Sequence, residues 1–219
     1  GNVTGHSNIA IGYGAMDDTD EGANSQDSDY NTAVGCNAMG GQWANVKSEF
    51  NVAVGSDAMS GALNGAQYNV AVGHDAGKSI TTATGNIVIG YDCGDELTTG
   101  GENVLIGYGA GHSLVEGNNN VAIGYLTLDG GDEDSGCVAI GYQALTAANV
   151  SDTGSAVLTY NTAVGYQAGD GITTGQQNTV IGASTAVDID ANNQTAIGYQ
   201  ATTDSANDIA IGNTSVDEV

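Results

Sequence analysis

The sequence predicts an all-β fold, a parallel β-solenoid of about twelve coils, because one short motif recurs along the whole chain. The motif has five positions: Asn; then Val, Thr or Ile; then usually Ala; then Ile or Val; then Gly, which is often followed by Tyr. Its glycines are 17 residues apart in four consecutive intervals, and the remaining intervals range from 14 to 24 residues. This period is too short for repeats of paired helices and suits one solenoid coil. The twelve motif glycines are Gly12, Gly35, Gly55, Gly73, Gly90, Gly107, Gly124, Gly141, Gly165, Gly182, Gly198 and Gly212.

Composition narrows the possible partners. The 219 residues include 26 acidic and two basic residues, which gives a formal charge of −24. Binding to nucleic acid or to an anionic membrane requires Lys and Arg, so neither is expected. No apolar run reaches the roughly 20 residues of a membrane span, and the sequence opens without a signal-peptide pattern. We expect residues 1–219 to form a single repeat domain, a segment of a longer fibre protein.

Alternation along each motif strand places the Ile or Val before the glycine on one face, and the Ala on the other. We predict that the first set forms the hydrophobic core. Its members are Ile11, Val34, Val54, Val72, Ile89, Ile106, Ile123, Ile140, Val164, Ile181, Ile197 and Ile211. The small Ala and Gly face would then pack against further chains, most simply in a three-fold bundle. The alternative is that Ala and Gly line a narrow core within one chain, while Ile and Val pack elsewhere.

The motif asparagines are predicted to stack as an amide ladder that bonds from coil to coil. They are Asn8, Asn31, Asn51, Asn69, Asn86, Asn103, Asn120, Asn161 and Asn178. An apolar residue seven positions after the glycine predicts a second, shorter strand in each coil. It is found at Ile80, Leu97, Leu114 and Ile172.

Aromatic residues occupy two regular positions. The motifs that follow the four intervals longer than 17 residues have an aromatic before the Asn, and we predict that it pins the inserted loop. These aromatics are Tyr30, Phe50, Tyr68 and Tyr160. Residues directly after the glycine are predicted to form an external ladder that staples the coils together, with a binding face as the alternative. They include Tyr91, Tyr108, Tyr125 and Tyr142.

Catalytic and cofactor-binding residues are not expected. The histidines His6, His74 and His112 are scattered singly, and no Ser-His-Asp set stands out. The stretch 73–79 resembles a phosphate-binding loop, but it is one residue short of the required spacing. Cys36, Cys93 and Cys137 occupy three different repeat positions, which does not favour a metal site; they fill small-residue positions or permit one intermolecular disulfide.

Three acidic clusters are candidate calcium sites, with a solvated acidic surface as the alternative. The cluster that contains Asp188 and Asp190 resembles the start of a calcium loop. It has Asn193 where such a loop needs Gly, and Tyr199 where it needs Glu. The candidate ligands are Asp18, Asp20, Asp132, Asp134, Asp188 and Asp190.

Two segments carry a family resemblance: Asn-Thr-Ala-Val-Gly-Tyr-Gln-Ala at 161–168 and Thr-Ala-Ile-Gly-Tyr-Gln-Ala at 195–201. They resemble the head repeats of YadA-like trimeric autotransporter adhesins, and also repeats of phage tail-fibre proteins that end in a self-cleaving chaperone domain. The resemblance extends from Asn8 to Ser215 and implies a left-handed β-roll, a homotrimer and a role in attachment. The mostly 17-residue period departs from the 14-residue units of the adhesins.

The sequence therefore predicts a non-enzymatic structural or adhesive fibre segment, extracellular, on a virion or a cell surface. Its expected partners are copies of itself and a host-surface receptor or glycan. One alternative is a filament subunit that stacks head to tail. A further alternative, an ice-binding or glycan-binding solenoid, is weaker because Thr is spread over several repeat positions.

Overall fold

The computed structural model describes residues 5–17, 27–44, 46–147 and 157–215. They form an all-β parallel solenoid, as the repeat predicts, with no α-helix in the described ranges. None of their segments is a helix of the length and hydrophobicity needed to cross a membrane. The strands are β1 (Ile9–Ile11), β2 (Thr32–Val34), β3 (Val52–Val54), β4 (Val70–Val72), β5 (Ile87–Ile89), β6 (Val104–Ile106), β7 (Val121–Ile123), β8 (Asp134–Ser135), β9 (Val138–Ile140), β10 (Val157–Leu158), β11 (Thr162–Val164), β12 (Thr179–Ile181), β13 (Thr195–Ile197) and β14 (Ile209–Ile211).

Twelve of these strands form one parallel sheet, in the order β1 to β7, β9, then β11 to β14. The register keeps equivalent motif positions together: Ala122 pairs with Ala139, and Ile123 with Ile140. Strands β9 and β11 pair in the same register although their motif glycines are 24 residues apart. Differences in coil length are therefore absorbed outside this sheet.

The hydrophobic core lies on the opposite side of the strands from the one predicted. The middle residue of each strand from β2 to β13 of the large sheet, usually Ala, is buried, whereas both flanking residues face outward. The Ile side chains before the glycine are 36–59% exposed at Ile11, Ile89, Ile181, Ile197 and Ile211. The other seven residues of that column are partly exposed: Val34, Val54, Val72, Ile106, Ile123, Ile140 and Val164. The alternative, in which Ala lines a narrow core within one chain, describes the structure.

A narrow interior explains why the Ala side chains, and not the Ile and Val side chains, are buried. The two walls of a coil lie close together, so a large inward side chain on one wall is matched by a small residue nearby. Ile80, Leu97 and Leu114 are fully buried on the wall opposite the strand. The strand contributes Ala71 in the coil of Ile80, whereas Gly94 and Gly111 make room where it contributes Val88 and Leu105. In the coil of Ile80, residue 77 is glycine, because a Cβ atom there would lie 2.8 Å from Ile80 Cδ1. Interiors packed this closely leave no room for an added methyl group.

The motif glycine is required by the close stacking of the coils. Gly107 has φ +140°, and a Cβ atom at this position would lie 2.1 Å from the carbonyl oxygen of Gly124. Such a backbone conformation is strained for any residue with a side chain. The glycine column thus marks where the chain leaves the sheet and turns the corner.

The regular second strand predicted around the apolar residue at position seven is absent from the described coils. These segments are turns and bends that stack through isolated backbone hydrogen bonds, such as Thr81 N to Thr98 O at 3.0 Å. A short second sheet forms only between β8 and β10. Three residues of each coil form the strand of the main sheet, and most of the others form turns and bends.

Candidate functional surfaces

The motif asparagines form a continuous buried column along most of the solenoid. In a typical step, the side-chain amide of Asn103 donates to Asn86 Oδ1 at 3.0 Å and to the carbonyl oxygen of Gly117 at 2.8 Å. Cys137 interrupts the column, and its backbone N–H still donates to Asn120 Oδ1 at 2.9 Å. These amides satisfy backbone groups at the corner that would otherwise be buried without partners.

The outward side of the large sheet is a mostly apolar surface, which we call the outer face. It consists of the first and third residues of each strand, for example Val121 and Ile123 of β7. Its third position is Ile or Val in all twelve strands, and its polar residues are Thr32, Thr162, Thr179 and Thr195. Neither position carries a charged side chain in any of the twelve strands, although the chain has a formal charge of −24. The outer face is thus the uncharged side of a highly acidic protein.

Two stacks of aromatic rings border the outer face. The longer one joins His74, Tyr91, Tyr108, Tyr125, Tyr142 and Tyr166, with centroids 5.1–5.3 Å apart. The shorter one joins Tyr30, Phe50 and Tyr68 at 4.9 and 5.2 Å. Stacked rings at these separations are favourable beyond their buried area. The sequence pattern located both columns but did not show that Tyr30, Phe50 and Tyr68 would stack on one another; Tyr160 lies against Gly136 instead.

A column in which basic and acidic residue types alternate runs through Lys78, Asp95, His112 and Asp129. His112 Nε2 lies 4.0 Å from Asp95 Oδ2, and its Nδ1 atom lies 3.7 Å from Asp129 Oδ1. Partial burial raises the pKa of both carboxyl groups. Sequence reasoning treated His112 as an isolated residue, yet the positions 78, 95, 112 and 129 are each 17 apart, so the spacing itself held the signal.

The structure does not gather the candidate calcium ligands into one shared site. Asp18 and Asp20 lie outside the described residues. Asp132 is exposed, whereas Asp134 points into the interior. Asp190 Oδ1 accepts hydrogen bonds from the hydroxyls of Thr173 and Thr174 at 2.7 and 2.9 Å, which lowers its pKa.

Asp188 Oδ1 caps the backbone N–H of Asp190 at 3.2 Å, so this pair forms a local turn. Calcium binding at these residues stays a prediction. Within the described ranges, the side chains close enough to share a metal ion are Asp57, His74 and Asp75, which sequence reasoning did not group. Asp75 is already paired there with Lys78, at 3.5 Å.

Asp134 is fully buried, and neither carboxylate oxygen has a hydrogen-bond partner among the described residues. Burial raises its pKa to about 6. It occupies an inward position held by Gly100 and Gly117 in the two preceding coils. The coil of Asp134 also contains Cys137 in place of the ladder Asn, so two departures from the repeat meet in one place.

The three cysteines are unpaired and stand apart, as their repeat positions suggest. Cys93 and Cys137 are buried, and burial raises the pKa of each thiol to about 12. Thiols held protonated in this way are weak nucleophiles and metal ligands. Cys36 is exposed, so it is the one of the three accessible to an intermolecular disulfide.

A polar groove with a volume of about 300 Å³ opens across three consecutive coils. Glu102 and Asn119, both exposed, and the partly buried Asn118 line it. The remaining lining residues are Thr82, Thr84, Thr99 and Gly101. Sequence reasoning did not identify this groove.

Comparison with protein-family models, with curated proteins and with solved structures finds no match to this chain. The family resemblance of the repeat segments therefore remains an expectation.

Proposed function

We propose that this protein is a non-enzymatic structural or adhesive fibre segment, extracellular, whose chains associate as a homotrimer through the outer face. Left-handed winding of the coils belongs to the same proposal. The outer face is the single observation that carries it. Twelve strands at a spacing of ~4.8 Å make this face about 55 Å long. A continuous apolar stripe of this length would promote aggregation if it stayed in contact with water.

Copies of the same chain are the occupants that fit this face. Its β-branched side chains are in regular register along the solenoid axis, and a second copy presents a matching column. The uncharged surface also lets highly acidic chains meet without bringing carboxylates together. In a three-fold bundle, the two columns of each outer face meet two different neighbours, so both columns are covered.

This arrangement corrects the surface that sequence reasoning assigned to assembly. The motif Ala residues fill the interior of each chain, the motif glycines stack at the corner, and the column of Ile and Val is available between chains. An oligomer is still expected, because a strand with apolar residues on both faces is normally buried on both.

Light scattering of the purified protein tests the proposal, and we expect a discrete particle of three times the chain mass. Replacing Ile123 by Asp places a charge in the middle of the outer face and is expected to dissociate the trimer. The matched control is I189D, because Ile189 is 48% exposed and lies outside the large sheet. A monomeric wild-type protein at micromolar concentration, or equal behaviour of the two variants, would contradict the assembly.

Electron microscopy of the same samples separates the main alternative, a filament whose subunits stack head to tail. Discrete rods of one length support the trimeric segment. Fibres that lengthen with protein concentration, and that persist in I123D, would favour the filament.

A further inference from the structure

Two glycines interrupt a ridge of side chains at the polar groove: Gly101 lies in its lining, and Gly85 lies beside Glu102. Gly101 occupies a repeat position where the adjacent coils carry Thr84 and Asn118. Gly85 interrupts the neighbouring column, between Tyr68 and Glu102. Missing side chains at two adjacent positions leave a notch, while the backbone stacking continues undisturbed, as in Glu102 N to Thr84 O at 2.9 Å.

The groove has one firmly held amide and two polar side chains free to engage a ligand. Asn118 Oδ1 accepts from Gly101 N at 2.8 Å, and Asn118 Nδ2 donates to the carbonyl oxygen of Glu116 at 2.9 Å. The side chains of Glu102 and Asn119 make no hydrogen bond to any described residue and are exposed. Three threonine hydroxyls supply further donors and acceptors around them.

The lining excludes most classes of ligand. It contains no basic side chain, so an anion such as phosphate or sulfate would meet a single carboxylate and an acidic protein. One carboxylate alone is a poor cage for a metal ion, because hard cations take six or more oxygen ligands. The lining consists of Thr, Gly, Asn and Glu and has no aromatic or large aliphatic side chain, which disfavours a purely apolar ligand.

An aromatic ring lies outside the groove lining but in the same repeat column as Glu102, two coils before it, with Gly85 in the coil between them. Tyr68 stacks on Phe50 with one face, and its other face is turned toward the coil in which Gly85 has no side chain. Such a ring face packs against the C–H groups of a sugar ring, and nearby carboxylate, amide and hydroxyl groups bond its hydroxyls. The carboxylate, amide and hydroxyl groups of the lining, with the exposed Tyr68 ring two coils before Glu102, therefore match a sugar better than the other ligand classes.

We propose that the groove binds a neutral saccharide of one or two sugar units, with Glu102 and Asn119 as its main hydrogen-bonding side chains. The volume of about 300 Å³ is of the size of a disaccharide. The inference rests on the proposed attachment role for its biological use, and it adds the ligand class to that role.

An array of neutral, sialylated and sulfated oligosaccharides, probed with the assembled wild-type protein, gives the first test. We expect retention of neutral sugars and none of the acidic ones. Affinity for a retained neutral methyl glycoside is then measured by NMR titration, where E102A is expected to weaken binding at least ten-fold.

The matched control is Q177A. Gln177 occupies the same repeat column, and its backbone φ of 61° is close to the 60° of Glu102, so both substitutions place Ala in nearly the same conformation. A second pair, T99W and T174W, places an indole in the groove or in the equivalent coil outside it, and only T99W should abolish binding. An array with no bound neutral sugar, binding of acidic sugars alone, or equal affinities for E102A and Q177A would overturn the site.

Assembly is measured by light scattering in the same samples. A discrete trimer that binds no sugar overturns the saccharide site and leaves the assembly standing. A monomer that binds the sugar overturns the proposed trimer and supports the saccharide site in the groove.

Discussion

The backbone N–H and the side-chain amide of Asn103 donate to one and the same acceptor, Asn86 Oδ1, at 2.9 and 3.0 Å. Asn103 Oδ1 in turn accepts from the backbone N–H of Asn120, at 2.9 Å. Each asparagine therefore links the coils on both of its sides. At the corner, where the chain forms no strand, its carboxamide supplies the hydrogen bonds between coils.

We expect Asn103→Ala to lower the free energy of unfolding by roughly 2–4 kcal/mol, because buried groups on both neighbouring coils lose their partner. Thermal or urea unfolding followed by circular dichroism measures this loss. Asn64→Ala is the control, since the Asn64 side chain makes no hydrogen bond to a described residue. Equal stability of the two variants would mean that the amide ladder contributes nothing net.

Asp134→Asn is expected to stabilise the protein at neutral pH. The pKa of Asp134 is raised from 3.8 to about 6, so the folded state binds the proton more tightly than the unfolded chain. Protonated Asp134 therefore gives its full contribution to the free energy of unfolding below pH 4. That contribution is lost as the pH rises through 6, which lowers the free energy of unfolding by on the order of 3 kcal/mol.

Urea midpoints of wild type and D134N between pH 3.5 and 8 measure this difference, which should grow with pH and level off above pH 7. The exposed neighbour provides the control, and D132N should follow the wild-type curve. A constant offset between D134N and wild type at every pH would show that Asp134 does not titrate in this range.

Gly107→Ala is expected to destabilise the solenoid by more than about 3 kcal/mol, because the added methyl group meets the carbonyl oxygen of Gly124 in a strained backbone conformation. Gly171→Ala is its counterpart. The nearest atom to a Cβ at position 171 is Ile189 Cγ2 at 3.6 Å, an ordinary contact. Soluble yield and melting temperature should fall for G107A only, and a normally stable G107A would contradict the close coil stacking described here.

Tyr108 stacks between Tyr91 and Tyr125, with centroids 5.2 Å from each. We expect Tyr108→Ala to cost roughly 1–3 kcal/mol, because both ring contacts disappear. Tyr108→Phe keeps both rings in contact and should change stability by less than about 0.5 kcal/mol. Unfolding of the two variants is compared with wild type, and a large loss in Y108F would indicate that the phenol hydroxyl, rather than stacking, holds the column.

The repeat pattern was enough to predict the parallel solenoid, the register of the strands and the position of the asparagine column. It did not reveal which side of the strand is the interior, since Ala122 and Ile123 are both apolar and alternation alone does not order them. The width of the coil decides the matter, and that width depends on where the chain turns after Gly124. The groove near Gly101 escaped sequence reasoning because glycines interrupt two different columns of side chains there.

Strands β9 and β11 match residue for residue although the interval between their motif glycines, 24 residues, exceeds the common period of 17 by seven. The join between coils is thus the same wherever it occurs, which makes the coil a removable unit. Excision of residues 91–107 would bring Asn86 beside Asn120 with an unchanged join, and the molecule would shorten by one rung, ~4.8 Å. Genes that gain or lose whole periods would then set the length of this protein in discrete steps, without any change to its fold.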